Sequence, residues 1–205
     1  MAARTMGTPS NARSRATRAA LLDAARQILE ERGFEALTMS AVATSAGVSR
    51  PAVYLHFTSR TDLVSGLFDH ISAAEGLQES LQKVWTAPDA LNALEQWAQH
   101  LARYHPRILA VDRAVDRLRR VDPNAAAHHK RVRTKQLESA RRLAGWLQDE
   151  GHLAVPWTVV SARDMLFALI SSDTIEALIS DRRWTQRRLA EHLSVLLRRT
   201  FVGMV

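Results

Sequence analysis

The chain has 205 residues, of which 28 are lysine or arginine and 21 are aspartate or glutamate, so its net charge is +7. Hydrophobic residues make up 46% of the sequence, which is typical of a globular protein rather than a disordered one. The sequence has no cysteine, which excludes disulfides, thiolate nucleophiles and cysteine-ligated metals. The basic excess favours an anionic partner such as nucleic acid, although an arginine-rich solvated surface would give the same total.

The N-terminus indicates neither secretion nor membrane insertion. No apolar run approaches the roughly 20 residues of a membrane span, and the arginines near the N-terminus precede no apolar segment of a secretory signal. We therefore expect a cytoplasmic protein. Residues 1–14 contain Gly, Pro, Ser and Asn with little periodicity, which predicts a flexible basic arm. Such an arm either follows the DNA backbone or minor groove, or has no role.

The rest of the chain shows apolar residues at helical spacing and no alternating strand pattern. The fold class is therefore predicted to be all-α, with about nine helices. Glycines and prolines set several expected boundaries. Gly33 ends the first helix, Pro106 interrupts a later one, and Asp122 followed by Pro123 begins a long helix that ends at Gly151.

Residues 38–57, TMSAVATSAGVSRPAVYLHF, predict two short helices around a tight turn. Thr38 and Ser49 are each suited to cap a helix through the side-chain hydroxyl, and the glycine between the helices suits a left-handed residue. Val53 and Phe57 are four residues apart and share one face of the second helix. This pattern matches a helix-turn-helix, whose second helix enters the DNA major groove.

The sequence around this motif resembles the N-terminal domain of the TetR family of transcriptional regulators. The matching features run from an apolar first helix through RGF at 32–34, AGVS at 46–49 and HF at 56–57 to a Ser-Arg pair that opens the next helix. The resemblance implies a DNA-binding domain at residues 15–75. It also implies a helical C-terminal domain at 76–205 for regulation and dimerisation.

The resemblance further implies which side chains meet DNA. Thr38 would bind a phosphate at the start of the first short helix, and Arg50 would read guanine through its O6 and N7 atoms. A surface salt bridge is the alternative role for Arg50, and packing into the domain is the alternative for Tyr54. The expected DNA-binding residues are Thr38, Ser49, Arg50, Pro51, Ala52, Tyr54, His56 and Arg60.

Two residues depart from the family pattern, and they leave the operator sequence open. Ala52 stands where many relatives have threonine, so a contact with a thymine methyl would replace a hydroxyl contact. Leu55 stands where relatives often have a polar or aromatic residue, so it would touch DNA weakly or not at all.

The C-terminal domain of this family usually binds a small molecule and pairs with a second copy through its last two helices. The ligand-binding candidates are Trp97, His100, Tyr104, Asp112, Trp146 and Phe167, although aromatic residues at helical spacing are more often plain core. Apolar residues on more than one side of the last two helices favour a homodimer over a monomer with a central helix pair. The expected interface residues are Leu166, Ile170, Leu189, Leu193, Leu196 and Leu197.

Taken together, the resemblance implies a homodimeric repressor that a small molecule releases from a palindromic double-stranded operator. We expect no cofactor, no metal and no enzymatic activity, because no HExxH, nucleophile–base or phosphate-loop spacing is present. The alternatives are a DNA-binding protein without an effector, and a helical adaptor or enzyme domain fused to a helix-turn-helix.

Overall fold

The computed structural model describes residues 12–169 and 171–203, which form ten α-helices. The helices are α1 Ala12–Arg32, α2 Met39–Ser45, α3 Arg50–Tyr54, α4 Arg60–Ala74, α5 Leu77–Trp85, α6 Ala90–Leu118, α7 Pro123–Asp149, α8 Val159–Leu169, α9 Ser172–Glu176 and α10 Gln186–Phe201. A 3-10 turn follows α1, and a π-helical turn follows α9. The predicted all-α class is confirmed, since β-pairing in these residues is limited to one bridge between Leu153 and Val202.

Helix boundaries near the helix-turn-helix follow the predicted caps. Thr38 Oγ1 accepts a hydrogen bond from the amide of Ala41 at 3.1 Å, and Ser49 Oγ accepts one from the amide of Ala52 at 3.4 Å. Gly47, between α2 and α3, has a φ of +67°, which residues with a side chain rarely adopt. The two short helices therefore form the predicted helix-turn-helix.

Two boundary predictions were wrong. Helix α1 already begins at Ala12, so the last three residues of the predicted arm are helical, and residues 1–11 lie outside the described part. Helix α6 continues through Pro106. Proline removes one amide donor and crowds the carbonyl four residues earlier, but buried residues on both sides, such as Leu101 and Ile108, hold the helix in place.

Helix α6 contributes to two separate hydrophobic cores. The first core contains residues of α1 to α4 and is completed by the second half of α6, from Tyr104 to Val115. The second core contains the first half of α6, from Ala90 to Ala102, together with residues of α5 and α7 to α10. The N-terminal core thus includes a segment beyond residue 75, the predicted end of the DNA-binding domain.

A cluster of charges fastens the junction between α4 and α5. The Glu75 carboxylate accepts hydrogen bonds from Arg107 Nη1 at 2.6 Å and from Arg26 Nη2 at 3.0 Å. Arg103 donates to the carbonyl oxygens of Glu75, at 2.7 Å, and Gly76. The hydrogen bond from Arg107 is the main cause of a lowered pKa of Glu75. Helices α1 and α6 are therefore joined through one carboxylate at the end of α4.

Two histidines of α6 are buried without a charge. Burial lowers the pKa of His100 to about 3, with His105 and Arg103 adding to the effect. Burial also lowers the pKa of His105 to about 4. His100 Nδ1 and Ser80 Oγ are hydrogen-bonded at 3.0 Å. Both imidazoles are therefore neutral at pH 7.

The dimer prediction placed several leucines on the wrong surface. Leu166, Leu189 and Leu197 have no exposed area and Leu193 only 5%, because all four pack in the second core of their own chain. A side chain without free surface cannot contact a second copy. Leu196 is 45% exposed, and Ile170 lies outside the described residues.

We expect Glu75→Gln to destabilise the protein, because it removes the charge that both arginines share. Hydrogen bonds to charged groups contribute about 1.5–3 kcal/mol, so the free energy of unfolding should fall by about that amount. Chemical denaturation at fixed protein concentration measures it. Glu79→Gln, an exposed acid of α5, is the control, and an equal loss in both variants would contradict the role of Glu75.

We also expect stability to fall as the pH drops below about 6.5, where the two histidines become protonated only in the unfolded chain. The loss at pH 5 is on the order of 2 kcal/mol for each histidine. His100→Asn and His105→Asn should each remove their share of this pH dependence, measured by denaturation between pH 7 and 5. The exposed His192→Asn serves as the control. A pH dependence in His100→Asn equal to that of the control would contradict this account.

Candidate DNA-binding face and candidate ligand cavity

Residues 49–56 present an exposed face because two apolar residues, Val53 of α3 and Phe57 just after it, anchor the other side. Val53 and Phe57 have no exposed area and belong to the first core. Of the predicted DNA-binding residues in this stretch, four are exposed and two are half-buried: Ser49, Arg50, Pro51 and Tyr54, and then Ala52 and His56. Leu55 is 71% exposed beside them. The packing therefore directs this face outward.

Arg50 and Tyr54 form a pair on this face. Arg50 Nη2 donates to Tyr54 Oη at 3.4 Å, and the guanidinium carbon lies 5.7 Å from the centre of the phenol ring. Tyr54 is 39% exposed, so it does not pack into the core as one alternative held. Arg50 takes part in no salt bridge within the described residues. The guanidinium is thus held over an aromatic ring with its charge uncompensated.

Thr38 and Arg60 flank the helix-turn-helix and differ in their surroundings. Thr38 is exposed at the N-terminus of α2. The guanidinium of Arg60 donates to the carbonyl oxygen of Phe34 and lies 3.8 Å from the centre of the Phe34 ring. Burial lowers its pKa. Arg60 therefore joins α4 to the turn after α1, and a phosphate contact would require it to leave Phe34.

A cavity of about 320 Å³ lies among helices α4, α5, α6 and α7. Three of the predicted ligand-binding residues, Trp97, His100 and Tyr104, line it together. Sequence reasoning missed Phe68 of α4 and His105 of α6, which also line the cavity. Phe68 is buried at helical spacing in α4, and no local signal distinguishes a cavity wall from a filled core.

The other three ligand candidates lie elsewhere. Asp112 accepts a hydrogen bond from the hydroxyl of Ser172, and Phe167 packs under the guanidinium of Arg133 at 3.7 Å. Trp146 lines a separate, open groove, and its Nε1 donates to Glu150 at 2.6 Å. The structure therefore does not bring these three residues to the cavity.

Helices α8 and α10 each leave apolar side chains exposed. The exposed fractions are 57% for Val160 and 41% for Met165 on α8, and 53% for Val195 and 45% for Leu196 on α10. The opposite faces of both helices fill the second core. The described residues contain no helix that is long and apolar enough to cross a membrane. They also contain no cluster of three side chains suited to hold a metal.

The chain is similar to known regulators in sequence and in fold. Residues 21–67 match the family model "Bacterial regulatory proteins, tetR family". The regulator TtgR of Pseudomonas putida is 38% identical over 55 residues, which cover 27% of this chain. The match spans only about a quarter, 26%, of the length of TtgR.

Solved structures extend the likeness in fold to nearly the whole chain. NalD of Pseudomonas aeruginosa, the secondary repressor of the MexAB-OprM multidrug efflux pump, superposes with a TM-score of 0.73 and 21% identity over 95% of this chain and 100% of NalD. A proposed transcriptional regulator from Saccharomonospora viridis in complex with choline gives 0.79 and 16%, over 93% of this chain and 100% of the other.

The family match coincides with the part of the structure that forms the helix-turn-helix. It begins within α1 and ends within α4, and it includes both short helices and the exposed face of α3. The sequence match, the motif and the fold agree that residues 21–67 form a helix-turn-helix segment of the kind that the tetR family model describes.

Proposed function

We propose that the protein is a homodimeric transcriptional repressor that binds a palindromic double-stranded DNA site and leaves it when a small molecule occupies the cavity. The observation that carries the proposal is the exposed polar face of α3, which the buried Val53 and Phe57 hold outward. This face lies inside the segment that matches the tetR family model. Such a protein acts in the cytoplasm and needs neither a metal nor a cofactor.

The expected DNA-binding residues divide into those that fix the position of the protein on DNA and those that read the base sequence. Thr38, Tyr54 and His56 contact phosphates and set the register on the duplex. Arg50 donates to guanine in the major groove, with its ring contact to Tyr54 limiting the directions that the guanidinium takes. Ser49, Pro51 and Ala52 bring the start of α3 close to the base edges. Arg60 reaches a phosphate only after releasing Phe34.

A palindromic site requires two copies related by a two-fold axis. The exposed apolar residues of α8 and α10 supply a surface for this pairing, in place of the buried leucines first expected. The effector enters the cavity, which borders α4, the helix that follows the helix-turn-helix. The repressing sense of the regulation is supported by NalD, a repressor with the same fold.

Selection of bound duplexes from random DNA tests the proposal directly, and we expect it to enrich one palindromic site. Fluorescence anisotropy should then show tight binding to that site and weak binding to scrambled DNA. The affinity should fall steeply with salt, as counterion release requires. Binding of all sequences with equal affinity would contradict the proposal.

The same assay assigns roles to the pair on α3. Arg50→Ala should relax the preference at one base position per half-site by about 1–3 kcal/mol. Tyr54→Phe keeps the ring under Arg50 but loses the hydroxyl, and should weaken binding to all sequences by about 1 kcal/mol. Arg182→Ala, an exposed arginine outside the face, should change neither. An unchanged base preference in Arg50→Ala would remove Arg50 from base recognition.

The dimer surface is tested by adding a charge to exposed apolar residues. We expect Leu196→Glu and Val160→Glu to give folded monomers at micromolar concentration, because each would bury an unpaired carboxylate in the dimer. Sedimentation velocity measures the association state. Val121→Glu is the matched control, since this valine is 81% exposed outside both helices. Dimers that persist in both interface variants would place the interface elsewhere.

A further inference from the structure

One wall of the cavity is a row of neighbouring rings along α6, Trp97, His100 and Tyr104. The rings of His100 and Tyr104 are stacked, with centroids 5.3 Å apart and an angle of 16° between their planes. The indole of Trp97 lies 5.5 Å from His100 on the other side, and Phe68 of α4 also lines the cavity. A lining rich in aromatic rings favours an aromatic guest, because each ring adds dispersion and can make edge-to-face or offset contacts with it.

Charged side chains occur in the lining of the cavity only at its exposed edge. Asp69 of α4 and Lys135 of α7 are both exposed and of opposite sign. The buried part of the lining holds hydroxyls and imidazoles. Tyr104 Oη and Ser72 Oγ are hydrogen-bonded at 2.7 Å within it. An ion placed deep in this cavity would lose its hydration without meeting an opposite charge in the buried lining.

The pKa shifts of three lining side chains show that the cavity disfavours charge. Burial lowers the pKa of His100 and His105, so a positive charge is disfavoured there. His105 and Arg103 add to the effect at His100, whereas Asp112 partly opposes it at His105. Burial is also the main cause that raises the pKa of Tyr104 to about 12, with Asp112 and Asp69 contributing, so a negative charge is disfavoured as well. The cavity therefore disfavours a positive charge and a negative charge alike.

From this geometry we infer that the cavity binds an uncharged aromatic molecule that carries a hydroxyl or carbonyl group. Its ring system packs against Trp97, His100 and Tyr104, and its polar atom exchanges hydrogen bonds with the neutral hydroxyls and imidazoles of the wall. The inference rests on the proposed function, because it names the chemical class of the effector that this cavity would take.

Three probes with one ring system test the inference, namely 2-naphthol, 2-naphthoate and a 2-naphthylmethyl trimethylammonium salt. At pH 7.5, isothermal titration calorimetry of the full-length protein should give 2-naphthol a Kd at least about tenfold lower than that of either ion. A charged probe that binds as well as 2-naphthol would overturn the inference. A lack of 2-naphthol binding up to about 1 mM would also overturn it.

Cavity-filling variants locate the binding. Ser139→Trp, on the α7 side of the cavity, should weaken 2-naphthol binding by at least about tenfold. Thr134→Trp, an exposed position of the same helix outside the lining, should leave it unchanged. Gln78→Trp fills the cavity from α5 at an exposed position and replaces Ser139→Trp if that variant does not fold. Wild-type binding in a folded cavity-filling variant would place the probe elsewhere.

The DNA assay separates this inference from the proposed function. Neutral-probe binding with the expected variants, but without a selected operator, would overturn the proposed function and leave the ligand class standing. A selected operator together with preferential binding of a charged probe would overturn the ligand class and leave the repressor standing.

Discussion

The whole structure depends on one long helix that belongs to both cores. The first half of α6 is covered by α5, α7 and α10, and its second half completes the core of the helix-turn-helix domain. A rigid helix that is buried at both ends cannot tilt in one core without disturbing the other. The continuity of α6 through Pro106 is therefore a mechanical link between the two halves of the chain.

The cavity lies where a bound molecule could change how α6 connects the two cores. It lies where the two halves of α6 meet. Part of its wall is α4, the helix that follows the helix-turn-helix and packs in the first core. The hydrogen bond between Ser72 of α4 and Tyr104 of α6 lies in the same wall. The charge cluster at Glu75 fastens the end of α4 to α1 and α6. A guest in the cavity therefore acts on α4 between two fixed attachments. If the protein has the proposed function, linkage requires the guest to weaken the DNA complex by the same factor by which DNA weakens binding of the guest.

Features that depend on neighbouring residues could be predicted from the sequence. Thr38 and Ser49 cap helices because a hydroxyl reaches an amide three residues later, and that geometry is local. Gly47 takes a left-handed conformation for an equally local reason. The exposed face around α3 could be predicted because Val53 and Phe57 are four residues apart and point to the core together. The polar side chains between them must then point to solvent.

Features that depend on distant partners could not be predicted in the same way. The apolar pattern of α10 predicts that more than one of its faces is covered. It does not distinguish cover by the same chain from cover by a second copy. Leu193 and Leu197 meet their own core, whereas Leu196 stays exposed. Arg60 contacts Phe34, which lies 26 residues earlier in the chain. From the local sequence, Pro106 predicts the end of a helix. The helix continues because its residues on both sides of Pro106 pack in the two cores, and these contacts exist only in the folded chain.

The energy required of an effector is small compared with what the cavity wall can supply. A hundredfold loss of DNA affinity corresponds to about 2.7 kcal/mol of coupling. Breaking the bond between Ser72 and Tyr104 would contribute about 0.5–1.5 kcal/mol, which is too little alone. The remainder, about 1–2 kcal/mol, equals roughly 40–80 Å² of apolar surface. A phenylalanine buries about twice that area or more, so a partial repacking of Phe68, which lines the cavity from α4, suffices to couple the cavity to the DNA-binding domain.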